Sequence, residues 1–134
     1  MDIQKDFGKQ ITENYANFMF AGNAIFTIKS LKTGKHYTYQ LNKGQKYFFV
    51  TVRHGDEWSE IGSIRISDLR EFPNWGSSTF APSMKALIWF IAHLDTRLVE
   101  FYHMGRCAAC ARPLTNPESI ETGYGPICRE RIFG

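Results

Sequence analysis

Four side chains near the C-terminus have the types and spacing of a metal site. They read His103-Met-Gly-Arg-Cys107-Ala-Ala-Cys110, with Cys128 following behind Gly123-Tyr-Gly-Pro-Ile. These three cysteines are all that the 134-residue chain contains. Two cysteines separated by two residues let one tight turn aim both sulfurs at a single point. Together with a histidine and a third cysteine they offer four ligands for a tetrahedron around Zn2+. Gly105 precedes the turn, and Ala108 and Ala109 keep it unobstructed. Arg129–Phe133 reads as a short helix that Pro126 can open, which places Cys128 in its first turn, where the helix dipole favours a thiolate. A knuckle followed by a ligand on a helix outlines a treble-clef-like finger.

His103 is the leading fourth ligand on spacing alone. His36, His54, His93, an acidic side chain or water remain alternatives. Four protein ligands leave no open coordination position, so the expected Zn2+ is structural rather than catalytic. A chance pair plus one buried cysteine competes with this reading. A redox pair lacks a surrounding βαβ pattern. A nucleobase deaminase would need His-x-Glu and Pro-Cys-x-x-Cys, and the sequence has neither. Nor does it show a nucleophile elbow, a phosphate loop or a metallohydrolase motif, so no enzyme is expected. His54-Gly-Asp-Glu57 reads as a hairpin turn rather than a catalytic cluster.

The elements that must hold these ligands have enough apolar material for a core: 43% hydrophobic and 15% aromatic residues, against 22% charged. Residues 5–21 carry Phe7, Ile11, Tyr15 and Phe18 at helical spacing. Strands follow over 24–31, 36–41, 46–53 and 58–66, joined by Lys32-Thr-Gly-Lys35, Asn42-Lys-Gly-Gln45 and His54–Glu57 turns. Residues 67–82 read as a loop. Ser83 can cap a second helix whose face carries Met84, Leu87, Ile88, Ile91 and Leu94. A last strand over 98–102 leads into the metal ligands. The expected fold is α+β: an antiparallel meander sheet packed by two helices, with a C-terminal treble-clef-like zinc module. Residues 1–102 would form the α+β domain, and 103–134 the zinc-binding module packed on it.

Met1-Asp-Ile-Gln-Lys-Asp has no signal-peptide character, and the apolar run Ala86–Leu94 is too short to span a bilayer. Cysteines at metal spacing then suggest a cytoplasmic protein.

Several pieces of the C-terminal third occur together: Gly105-Arg-Cys-Ala-Ala-Cys110, Arg112-Pro-Leu-Thr115, Pro117-Glu-Ser-Ile120 and Gly123-Tyr-Gly-Pro-Ile-Cys128. This stretch resembles a zinc-finger-like module of uncharacterised phage and prophage proteins. The strand-rich front half, with Lys-Thr-Gly in its first hairpin, is similar to what precedes that module. The resemblance implies a phage or prophage origin and zinc binding by Cys107, Cys110 and Cys128, but it brings no activity with it.

Charge suggests the partner. The formal net charge is only +3, yet from Ala24 to Gly55 there are six basic residues and no acidic one. Lys35, Lys43, Lys46 and Arg53 alternate there with aromatic residues. Tyr37 and Tyr39 share one strand face, and Tyr47 and Phe49 share another. If these faces coincide in solvent, the rings can stack on unpaired bases while the cations meet phosphates, with Arg106 and Arg112 adding contacts from the finger. The ordinary use of such residues is core packing and a solvated rim. The expected partner is nucleic acid or a host nucleoprotein or defence complex, with no small-molecule substrate. The alternative is a counter-defence protein, for example an inhibitor of CRISPR effectors, acting by direct protein binding. The segment from Pro73 to Pro82, with Trp75 and Phe80, would then be a contact.

Overall fold

A computed structural model describes residues 9–12, 15–74, 81–94, 96–114 and 123–125 of the chain. Seven strands and two helices lie within them. The strands are β1 (Lys9–Ile11), β2 (Asn23–Ser30), β3 (His36–Lys43), β4 (Tyr47–His54), β5 (Glu57–Arg65), β6 (Glu71–Pro73) and β7 (Val99–His103). The helices are α1 (Tyr15–Met19) and α2 (Ala81–Ala92). All strand pairs are antiparallel, in the order β1-β7-β2-β3-β4-β5-β6. The expected meander is therefore present from β2 to β6. The chain then returns across α2 to lay β7 beside β2.

Turn residues fix the meander. Gly34 (φ 76°) ends the β2–β3 loop, and Gly55 (φ 60°) closes the β4–β5 turn, with His54 paired to Glu57. Both angles lie in the left-handed region that glycine enters without steric cost. At Gly62 the constraint is space: an added Cβ would lie 2.8 Å from the Phe72 carbonyl oxygen on β6. A larger residue would push the edge strand away.

Pairing register decides which side chains share a face. Phe26 and Ile28 of β2, Tyr39 and Leu41 of β3, Val50 and Val52 of β4, Ile64 of β5 and Phe101 of β7 are buried on one face. The helix α2 covers them with Met84, Leu87 and Phe90. Phe90 stacks on Phe101 at 5.8 Å, Phe101 stacks on Phe26 at 5.0 Å, and Phe18 of α1 meets Phe101 edge-on at 5.6 Å. Each ring fully removed from water contributes about 1.5–3 kcal/mol. The Tyr39 hydroxyl donates to the Ser83 carbonyl at 2.7 Å and pins α2 to β3.

Three expectations change. Of the helix expected over 5–21 the described residues show Tyr15–Met19, and Lys9–Ile11 is instead an edge strand paired to His103, Tyr102 and Phe101. The apolar spacing suits a helix, but the open backbone groups along β7 recruit this segment. The loop expected over 67–82 contains β6, because Gly62 admits a neighbouring backbone. Ser83 lies inside α2 rather than capping it: the helix begins at Ala81, with Pro82 in its first turn, where a missing N–H costs nothing. Trp75, Phe80, Cys128 and the expected helix at Arg129–Phe133 lie outside the described residues. Among the described residues no helix is long and apolar enough to cross a membrane.

Candidate metal centre and nucleic-acid interface

After β7 the chain folds back as a small hairpin. The Cys107 N–H donates to the Arg112 carbonyl (2.9 Å), the Ala111 N–H to the Cys107 carbonyl (2.9 Å) and the Leu114 N–H to the Gly105 carbonyl (2.8 Å). Gly105 (φ 80°) and Ala111 (φ 63°) supply the left-handed positions that the reversal needs. Cys107 is buried at the base of this knuckle, and Cys110 is exposed.

The Cys107 thiol is held below its ordinary value. Burial alone would push this thiol up. Backbone hydrogen bonds from Gly125, Cys110 and Ala109, together with the Cys110 side chain, outweigh it, and the net shift is downward. A cradle of N–H donors is what a thiolate ligand requires, since the thiolate is the form that binds metal. The charge is felt next door: burial, then repulsion from Cys107, pushes the Tyr124 hydroxyl up to about 12.

The knuckle is fastened to the sheet rather than hung from it. The Asn23 backbone N–H donates to the Ala108 carbonyl, and its side-chain amide to the Ala109 carbonyl, both at 2.8 Å. The Ala108 N–H donates to the Gly123 carbonyl at 3.0 Å, which brings in residues 123–125. Cys107, Ala108 and Tyr124 belong to the same buried cluster as Phe18 and Phe101. Sequence reasoning missed Asn23; its one signal was an amide placed after Gly22 at the start of a strand.

His103 is buried at the end of β7, with its ring stacked on Phe18 at 6.2 Å. Its Nδ1 accepts the Gly105 N–H at 3.0 Å. Among the described residues no group of three His, Cys, Asp or Glu side chains is placed to hold a metal ion; Cys128 lies outside those residues. His36 and His54 sit at the far ends of β3 and β4, and His93 stacks on Trp89 beyond the end of α2.

The expected nucleic-acid contacts separate into different places. Tyr39 is 0% exposed and bonded to α2, so it cannot stack on a base, and this assignment is corrected. Tyr37 shares its helix-covered face and is only partly buried. The register that pairs Leu41 with Val50 puts Tyr47 and Phe49 on the opposite face. Lys35 lies in the β2–β3 loop, Lys43 and Lys46 flank the β3–β4 turn, and Arg53 is exposed on β4. Arg106 and Arg112 are exposed on the knuckle, where the Arg106 guanidinium donates to the Ala111 carbonyl at 3.1 Å.

Both helices pack on the covered face. Over β4, β5 and β6 the other face carries a cluster that the sequence reading only half found. Phe49 is 45% exposed, Trp58 38% and Phe72 36%. Phe49 pairs with Ser63, which pairs with Phe72, and Arg53 pairs with Trp58. Tyr47 meets Phe72 edge-on at 5.9 Å, and the guanidiniums of Arg65 and Arg70 lie 4.9 and 5.6 Å from the Phe72 ring centre. Trp58 and Phe72 were missed because their exposure depends on which face α2 covers.

Residues 99–133 match a family of unknown function, DUF6011. The match covers β7, the knuckle and the stretch that contains Cys128. No curated protein and no solved structure matches the chain.

Proposed function

We propose that this is a non-enzymatic accessory protein that binds single-stranded nucleic acid on the uncovered sheet face, with a structural Zn2+ clipping its C-terminus. The observation that carries the reading is the exposure of Phe49, Trp58 and Phe72, with Arg53 opposite Trp58 and Arg65 and Arg70 beside Phe72, on a face where no described helix packs. Exposed rings on a sheet offer stacking platforms, and arginines beside them offer phosphate contacts and cation–π support.

The thiolate cradle around Cys107 supports the metal. Cys107 and Cys110 would hold it, with Cys128 as the third sulfur. His103 would be the fourth ligand through Nε2, its Nδ1 taking the Gly105 N–H, and a ligand from residues outside the described set competes with it. The ion would supply folding free energy to a short segment with little core of its own. The resemblance to phage and prophage proteins supports an accessory role in the host cytoplasm. A second reading, counter-defence by direct protein binding, draws on the same face, because exposed aromatic and arginine side chains also serve as interface anchors.

Fluorescence anisotropy with a labelled single-stranded oligonucleotide at low salt tests the first reading. Phe49→Ala combined with Trp58→Ala should weaken binding by roughly 30-fold or more, since each of the two lost base stacks is worth about 1–3 kcal/mol. Wild-type affinity in that variant, or no binding by the parent protein, would turn the account toward a protein partner.

A further inference from the structure

We propose that the groove between the β2–β3 hairpin and α2 is a binding site for a nucleoside monophosphate. It lies on the helix-covered side of the sheet, away from the exposed rings of β4–β6, and does not depend on the proposed strand-binding role. Its volume of about 460 Å³ falls within the range of small-molecule pockets.

The groove's chemistry is divided along its depth. Tyr37 lines it from the hairpin and Trp89 from the helix, over the buried side chains of Ile28, Tyr39 and Phe90. Lys32 and Lys35 stand on the hairpin loop beside the hydroxyls of Ser30 and Thr33. None of the described lining residues is acidic. A ligand matching this lining has a planar, largely apolar body and a compact anion. Two ammonium groups suit a phosphate dianion better than a single carboxylate, and two aromatic side chains suit a base better than an alkyl chain.

Both halves of the site are held in position before any ligand arrives. In the hairpin, the Ser30 N–H donates to the Lys35 carbonyl at 2.8 Å and the Gly34 N–H to the Ser30 carbonyl at 2.9 Å. The Thr33 N–H reaches the Ser30 hydroxyl and the Lys35 N–H the Thr33 hydroxyl, each at 3.2 Å. Trp89 remains 39% exposed. His93 backs the indole at 4.5 Å with an interplanar angle of 17°, and its Nδ1 lies 2.7 Å from the Trp89 carbonyl oxygen. A large ring braced on one side and left open to a cation-rimmed groove is suited to stacking on a ligand.

Isothermal titration calorimetry of the full-length protein with nucleoside 5′-monophosphates, the parent nucleosides, inorganic phosphate and a medium-chain alkyl carboxylate tests this. The monophosphate should bind saturably, and the nucleoside and phosphate alone at least ~10-fold more weakly, because each lacks half of the contacts. Lys32→Ala with Lys35→Ala, both on an exposed loop, should lower affinity by ~10-fold or more, and Trp89→Ala should do the same. Phe49→Ala with Trp58→Ala should leave it unchanged, which separates failure of this site from failure of the open face. Absence of saturable heat, tighter binding of the alkyl carboxylate, or full affinity after loss of both lysines would each overturn the proposal.

Discussion

Cys107 is the residue on which the C-terminal segment turns. Backbone hydrogen bonding holds its thiol below the ordinary value, and two of the knuckle's hairpin bonds start from its own N–H and carbonyl. Cys107→Ser should therefore abolish stoichiometric zinc and lower the melting temperature, and any loss of binding should follow from the lost stability. Elemental analysis beside thermal denaturation checks this; full zinc content in the variant would remove Cys107 from the ligand set. The cradle also sets a pH dependence. A thiol lowered in the folded state adds stability that is fully present above its ordinary value, about 8.5, and is lost as pH falls through the lowered value. After chelation, the stability gap between the parent protein and Cys107→Ser should narrow as pH falls below the thiol's ordinary value. The cysteine spacing was legible in the sequence because a knuckle is local. The amides of Gly125 and the anchoring Asn23 were not, since both reach Cys107 and its neighbours through the tertiary fold.

At the scale of elements, turn chemistry made the meander readable: Lys-Thr-Gly-Lys and Gly-Asp stand where the chain reverses. Alternation also told which residues of a strand share a face. It could not tell which of the two faces α2 would cover, and that choice buries Tyr39 while exposing Phe49. The same gap turned residues 9–11 from helix to strand, because the competing partner, β7, lies some 90 residues away in sequence. The strand β6 depends on one glycine. Gly62→Ala would set a Cβ 2.8 Å from the Phe72 carbonyl oxygen and 3.1 Å from the Pro73 Cα. It should cost about 1–3 kcal/mol in chemical denaturation, the range for overpacking. It should also loosen Phe72 from Tyr47 and the two arginines. An alanine variant of unchanged stability would show that β6 is not seated as described.

For the whole molecule, one sheet separates two surfaces of different chemistry. The covered side holds the core and the lysine-rimmed groove. The uncovered side presents rings and guanidiniums over β4, β5 and β6. A net charge of +3 is too small to hold a nucleic acid by field alone, so binding must draw on local stacking and on a few arginine contacts. That claim is tested most directly by backbone amide NMR of the zinc-loaded protein, titrated with a short single-stranded oligonucleotide. The account predicts that the shifted signals concentrate in residues 47–53, 58–65 and 70–72. Shifts confined to α2 and the knuckle, or no shifts at oligonucleotide excess, would contradict it.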